Sequence, residues 1–205
     1  SQTGGSTIRP ASYCGIVGLK PTYGRISRYG IIPVSWSLDH VGVLTRTVED
    51  AAIMLEPLAG EDPADVTCSA RPVPTYSKAK EKLSPPRIAL LKEFFHDNAS
   101  DEVRRGTEEA TGKLDKAGAE IVETPLPKSF KTVHAAWAVI FAAEVAGYHR
   151  EMFQKRMMDY GPEIRSTIAT GLLAPATTYL RAQRVRSRFI EEIAAAMKGF
   201  ECFMA

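Results

Sequence analysis

Long apolar runs are missing from this chain. The most apolar stretch, Ala135 to Gly147, falls short of the roughly 20 residues a bilayer-spanning helix needs, and it carries Glu144. No secretory signal pattern opens the sequence, so a soluble protein is expected. Cysteine is scarce. Cys14, Cys68 and Cys202 are odd in number and far apart, which excludes a disulfide framework and fits a reducing, cytoplasmic setting. The four histidines, His40, His96, His134 and His149, lack metal-ligand spacing, so no metal is expected. An excess of one charge is also absent. The net charge of +2 gives no reason to expect direct nucleic-acid or membrane binding. The arginines between Arg181 and Arg188 recur at helical spacing and read as a solvated helix face.

What is present is an ordinary globular balance. The chain has 205 residues, 44% of them hydrophobic and 24% charged, enough for one domain with a sizeable core. The opening stretch Ser1-Gln2-Thr3-Gly4-Gly5-Ser6-Thr7-Ile8-Arg9-Pro10 organises the rest. Glycine permits positive φ and close approach of another group to the backbone. Successive N–H groups in such a turn can converge on an anion. Where that anion is the oxygen of a tetrahedral intermediate, the turn is an oxyanion hole and the adjacent hydroxyl a nucleophile. A bare Gly-Gly-Ser reads first as a simple turn.

Three longer stretches change that reading. Thr3 to Arg25 (TGGSTIRPASYCGIVGLKPTYGR), Ser37 to Ala52 (SLDHVGVLTRTVEDAA) and Leu58 to Thr67 (LAGEDPADVT) together resemble the amidase signature family of serine hydrolases, in the family's order. The resemblance implies an α/β fold with a mixed sheet flanked by helices. It also implies a Ser–cis-Ser–Lys triad that hydrolyses amides without a cofactor. The nucleophile falls on Ser6, and the oxyanion donors on the backbone amides of Thr3, Gly4, Gly5 and Ser6. The cis-serine and the lysine would lie upstream of Ser1. The first residue thus falls inside a motif. At the other end, residues 200–205 alternate like a buried strand that would lack neighbours. Residues 1–205 are therefore expected to be an internal piece of a single amidase domain, with residues 72–86 a proline-rich connector within it.

Other chemistry-bearing residues receive smaller roles. Arg9 lies three residues after Ser6, on the same face if the segment is helical, and can hold a substrate carboxylate or a structural ion pair. Lys20 precedes Pro21 at the end of an expected buried strand over residues 15–21 and is read as structural. Asp39 and His40 resemble a charge relay, but adjacent residues point in different directions and rarely form one.

The remaining pattern predicts elements. Thr47 caps a helix that stops at Gly60. Residues 23–33 read as loops with a short strand, and residues 61–65 as a turn. Residues 87–92, 100–117 and 119–123 read as strand, helix and strand in a parallel right-handed crossover. Helices are expected over 134–158 and about 177–198, with Tyr160-Gly161-Pro162 a break between them.

The expected activity is hydrolysis of a small-molecule amide through a serine acyl-enzyme. A homodimer or a separate partner chain is compatible with this. One alternative is the amidase subunit of a tRNA-dependent amidotransferase, towards which Ile26 to Gly30 leans. Gln2, where that protein usually carries aspartate, leans the other way, as does the spacing S-T-I-R-P. The other alternative is a non-catalytic scaffold that keeps the signature turn.

Overall fold

A computed structural model describes residues 1–79 and 84–205. In chain order the elements are α1 (Ile8–Cys14), β1 (Val17–Leu19), β2 (Val43–Thr45), α2 (Val48–Leu58), β3 (Arg87–Leu90), α3 (Asp101–Lys116), β4 (Glu120–Glu123), α4 (Phe130–Arg156), α5 (Pro162–Leu172), α6 (Ala176–Ala196) and β5 (Cys202–Met204). The α/β class expected from the sequence is what forms. The strands divide into a two-stranded antiparallel sheet, β1-β2, and a three-stranded parallel sheet in the order β4-β3-β5. Part of the proline-rich connector, residues 80–83, lies outside the described residues.

The chain divides into two compact units. The first comprises Ser1–Glu81 and Ala138–Tyr179, and the second Lys82–Trp137 and Leu180–Ala205. In the first unit, β1 pairs with β2 in the register Val17↔Thr45 to Leu19↔Val43. The strand expected over residues 15–21 shortens to three half-buried residues. Thr47 starts α2 as its spacing predicts, its hydroxyl accepting from the N–H of Asp50 at 3.1 Å. The short strand expected within residues 23–33 is reduced to one isolated bridge between Ile26 and Ala59. A small core gathers Val145, Ala146, Phe153 and Ile168, with Val34, Tyr160 and Ile164 packed against it. Gly171 lets α5 press onto α4 here, since a Cβ at that position would meet the Ala142 carbonyl oxygen at 1.8 Å.

The second unit holds the crossover read from the sequence. Strands β3 and β4 run parallel, from Arg87↔Glu120 to Leu90↔Glu123, with α3 between them in the chain. Ser100 caps α3 by accepting from the N–H of Val103 at 3.3 Å, and Gly118 ends the connection at φ +97°. The terminal strand does have a neighbour, contrary to expectation: β5 adds to β3 in parallel, Ile88↔Cys202 to Leu90↔Met204. Aromatic rings of Phe94, Phe95, Phe130 and His134 pack edge-on and tilted beside this sheet's loops.

Candidate active site

The serine-bearing turn is held from three directions, all within the first unit. Gln2 forms an isolated antiparallel bridge with His40, each backbone N–H donating to the other's carbonyl at 2.7 and 2.8 Å. The Gln2 side-chain oxygen accepts from the N–H groups of Thr7 and Ile8 at 3.0 and 3.1 Å, and so serves as the first-turn cap of α1. The Thr3 hydroxyl donates to Asp39 Oδ1 at 2.5 Å. The other oxygen of Asp39, a buried residue, accepts from the N–H groups of Val34 and Ser35 at 2.8 and 3.1 Å.

Between these fixings the chain turns at Gly5, whose φ of +120° is closed to most side chains. Ser6 follows and is exposed, while Thr7 is buried. The Gly5 carbonyl already accepts from the N–H of Arg9 at 2.8 Å, so α1 begins directly behind the turn. Among the described residues, the N–H groups of Thr3, Gly4, Gly5 and Ser6 donate to no protein acceptor, and the Ser6 hydroxyl has no hydrogen-bond partner. These four consecutive residues thus lie in one turn whose N–H groups no protein acceptor among the described residues uses. Arg9 is exposed and close behind, its Cβ 3.9 Å from where a Gly5 Cβ would stand, and it makes no ion pair among the described residues.

The residues read as structural are occupied in structural work. Lys20 donates to the Pro21 carbonyl at 3.0 Å, and burial holds its ammonium below the usual lysine range. His40 Nδ1 faces the Leu38 carbonyl at 2.6 Å, with the Tyr23 ring edge-on at 5.4 Å. Burial, stronger than the opposing Leu38 carbonyl, lowers the pKa of His40 below the ordinary histidine value. Asp39 directs both oxygens to other partners, so Asp39 and His40 form no relay. The carboxylates of residues 61–65 tie loops together. Asp62 accepts from the Ser27 hydroxyl at 2.6 Å, and Asp65 accepts from the N–H of Arg28 at 2.8 Å. Burial alone would raise the pKa of Asp65, but the Thr67 and Arg28 donors outweigh it and hold it low.

A cleft of about 410 Å³ opens in the same unit, lined among others by Ser1, Trp36, Asp39, His40, Val66 and Tyr148. Its wall thus includes two of the residues that hold the turn. No group of three or more metal-ligating side chains occurs among the described residues. None of their helices is long and apolar enough to cross a membrane. Sequence reasoning misses the work done by Gln2 and Asp39. The available signal is an acid two residues after Ser37, and its neighbour His40 draws attention away from its true partner, Thr3.

The family model described as Amidase matches residues 1–203, and the chain belongs to that family. An amidase of Pseudomonas putida is 37% identical over the whole chain, which covers 44% of that protein. The A-type subunit of the glutamyl-tRNA(Gln) amidotransferase of Pelobacter propionicus is 38% identical, again over the whole chain and 47% of its own length. Among solved structures, an inhibitor-bound chain from a vestigial protein complex connected with the origins of an s-triazine catabolic enzyme superposes with a TM-score of 0.87. It is 34% identical, over 97% of this chain and 43% of that one. The glutamyl-tRNA(Gln) amidotransferase protein of the same type from Thermotoga maritima superposes with a TM-score of 0.79 at 31% identity, over 98% and 44%. The chain thus spans less than half the length of the relatives it matches.

Proposed function

We propose that this chain carries the nucleophile and oxyanion donors of an amidase, and that it is part of a longer single amidase domain in its parent protein. Ser6 attacks the amide carbonyl carbon, and its hydroxyl proton passes to a base. The N–H groups of Thr3, Gly4, Gly5 and Ser6 receive the developing negative oxygen. The C–N bond then breaks, the amine or ammonia leaves with a proton, and water releases the acid from the serine ester. Each donor of such a set typically contributes about 3 kcal/mol of transition-state stabilisation. The observation that carries this reading is the turn itself: an exposed serine beside four backbone donors that no protein group among the described residues uses, fixed by Gln2 and Asp39. Arg9, exposed just behind the turn, is the residue proposed to receive a carboxylate on the substrate.

The family resemblance assigns the base to a cis-serine and a lysine outside these residues. The 205-residue chain by itself is accordingly expected to be inactive, because an unassisted serine hydroxyl is a poor nucleophile. The three cysteines are free, which fits a reducing cytoplasm.

The test uses the parent protein. A fluorophosphonate probe is expected to label Ser6, and Ser6→Ala is expected to abolish both labelling and amide turnover. An unlabelled Ser6 in active parent protein would refute the assignment, and a parent with neither labelling nor turnover would favour a scaffold. A second reading, the amidase subunit of a tRNA-dependent amidotransferase, is favoured by relatives of that name at 34 to 39% identity. Co-purification with a partner chain and glutamine-dependent ammonia release would select it.

A further inference from the structure

Helix α4 carries one acid whose hydrogen bonds have no counterpart in the chemistry above. Glu144 is the charge that interrupts the most apolar stretch of the sequence. Its Oε2 accepts from the Ser35 hydroxyl at 2.6 Å and the Ser37 N–H at 2.8 Å. Its Oε1 accepts from the Ser37 hydroxyl at 2.8 Å and the Tyr179 hydroxyl at 2.9 Å. Four donors thus converge on one carboxylate, and hydrogen bonds to a charged acceptor are roughly twice as strong as neutral ones. They win over desolvation: burial alone would raise the pKa of Glu144, yet its carboxyl is held below the ordinary value.

The loop that Glu144 grips is the loop that Asp39 closes. Ser35 is fully buried and faces both acids, its hydroxyl towards Glu144 and its N–H towards Asp39. The N–H groups of Leu38 and Asp39 return to the Ser35 carbonyl at 3.2 and 3.0 Å, so residues 35–39 form one closed turn. From that turn Asp39 reaches Thr3, the first oxyanion donor.

We propose that Glu144 is a positioning residue for the nucleophile turn, fixing the 34–39 loop so that Asp39 can hold Thr3 and its neighbouring amides in place. The proposal rests on the assignment of Ser6 as nucleophile. Alanine removes all four acceptor contacts, whereas glutamine can keep them, its oxygen taking the Ser35 hydroxyl and the Ser37 N–H and its NH2 donating to the Ser37 and Tyr179 hydroxyls once these turn to accept, so alanine is the variant that tests the proposal.

The test is a double-mutant cycle in the parent enzyme, reading kcat, KM and the rate of fluorophosphonate labelling. Glu144→Ala is expected to lower kcat and the labelling rate together by roughly 10- to 100-fold, the scale of a misplacement near 1 Å, with KM within about twofold. Thr3→Val breaks the other end of the relay. If both residues act through Asp39, the double variant is expected to be no worse than the more impaired single variant by more than about twofold. Additive losses, or a folded Glu144→Ala enzyme with unchanged kcat and labelling, overturn the proposal. If Glu144→Ala does not fold, Ser37→Ala replaces it in the same cycle with a severalfold loss expected, and unchanged kcat again overturns it. Wild-type enzyme that is active but unlabelled at Ser6 refutes the nucleophile assignment instead, so the two failures are distinguishable.

Discussion

Replacing Gly18 by alanine tests whether packing beneath the serine turn governs its chemistry. Gly18 lies in β1, directly under α1. A Cβ there would stand 2.7 Å from the Ala11 Cβ, 3.1 Å from the Thr7 carbonyl oxygen and 3.5 Å from the Ile8 Cα. Carbon atoms settle at about 3.5–4.0 Å, so the helix and strand must separate by about 1 Å. Neither side yields easily. Ala11 is buried on the inner face of α1, and β1 is held in register by β2. Overpacking of this kind costs about 1–3 kcal/mol. The kinetic effect is larger than the thermal one suggests, because Ser6 sits one residue before the buried Thr7, whose carbonyl is among the groups displaced. A displacement of about 1 Å at a reacting group typically lowers the rate roughly 100-fold. The parent protein carrying Gly18→Ala is therefore expected to melt a few degrees lower and to lose kcat far more than KM. Gly106→Ala is the control. It adds the same methyl group within α3, where nothing lies within 4 Å, and is expected to gain about 1 kcal/mol of helix stability with kcat unchanged. A Gly18→Ala enzyme with wild-type kcat would refute the reasoning, even if its melting temperature fell.

Two further outcomes are expected. Gln2→Ala removes the acceptor for the N–H groups of Thr7 and Ile8 and is expected to cost about 1 kcal/mol of stability and to lower kcat, while Gln2→Glu, which keeps an acceptor, is expected to restore most of both; equal losses in the two variants would show that the cap does not matter. In the second unit, Glu192 accepts from the N–H and hydroxyl of Ser129 and from Arg188, and these bonds, the Ser129 N–H foremost, lower its pKa to about 2 from 4.5. A depressed carboxylate stabilises the fold above its unfolded pKa and loses that contribution as pH falls through the folded value. The melting temperature of Glu192→Gln is therefore expected to fall less steeply than that of the wild type between pH 4.5 and about 2, and parallel slopes would exclude the role.

Local signals are legible in the sequence wherever one element explains itself. Ser100 and Gly118 bound α3, the short apolar runs of β3 and β4 mark strands, and the parallel crossover follows from them. Helix α5 is not legible in this way, because Pro162 reads as a break. Proline also suits the first position of a new helix, where its missing N–H has no cost, and that is the place it takes. The partner of β5 is equally hidden, since Ile88 and Cys202 meet only through tertiary folding. The site divides the same way. Gly4, Gly5 and Ser6 announce a turn by their own conformational needs. Besides the adjacent Gln2, the group that holds it lies 36 residues away at Asp39, and Ser35 in the loop behind Asp39 is bound by Glu144, which lies 109 residues further on. Their side chains carry no local trace of those partners.

The disposition of acids and bases bears on where the proton of Ser6 goes. Four titratable groups near the turn in sequence or structure are already occupied. Asp39 accepts three hydrogen bonds, Glu144 accepts four, Lys20 donates to Pro21, and His40 presents Nδ1 to Leu38. None of them hydrogen-bonds the Ser6 hydroxyl. Using Asp39 as the base would release Thr3, and using Glu144 would release the loop that carries Asp39, so under the proposed mechanism a gain in nucleophilicity would be offset by a loss of electrostatic stabilisation. Neither carboxylate is then available as the base of the proposed mechanism. That is a physical reason, independent of family resemblance, to look for the proton acceptor of Ser6 among groups other than these two acids.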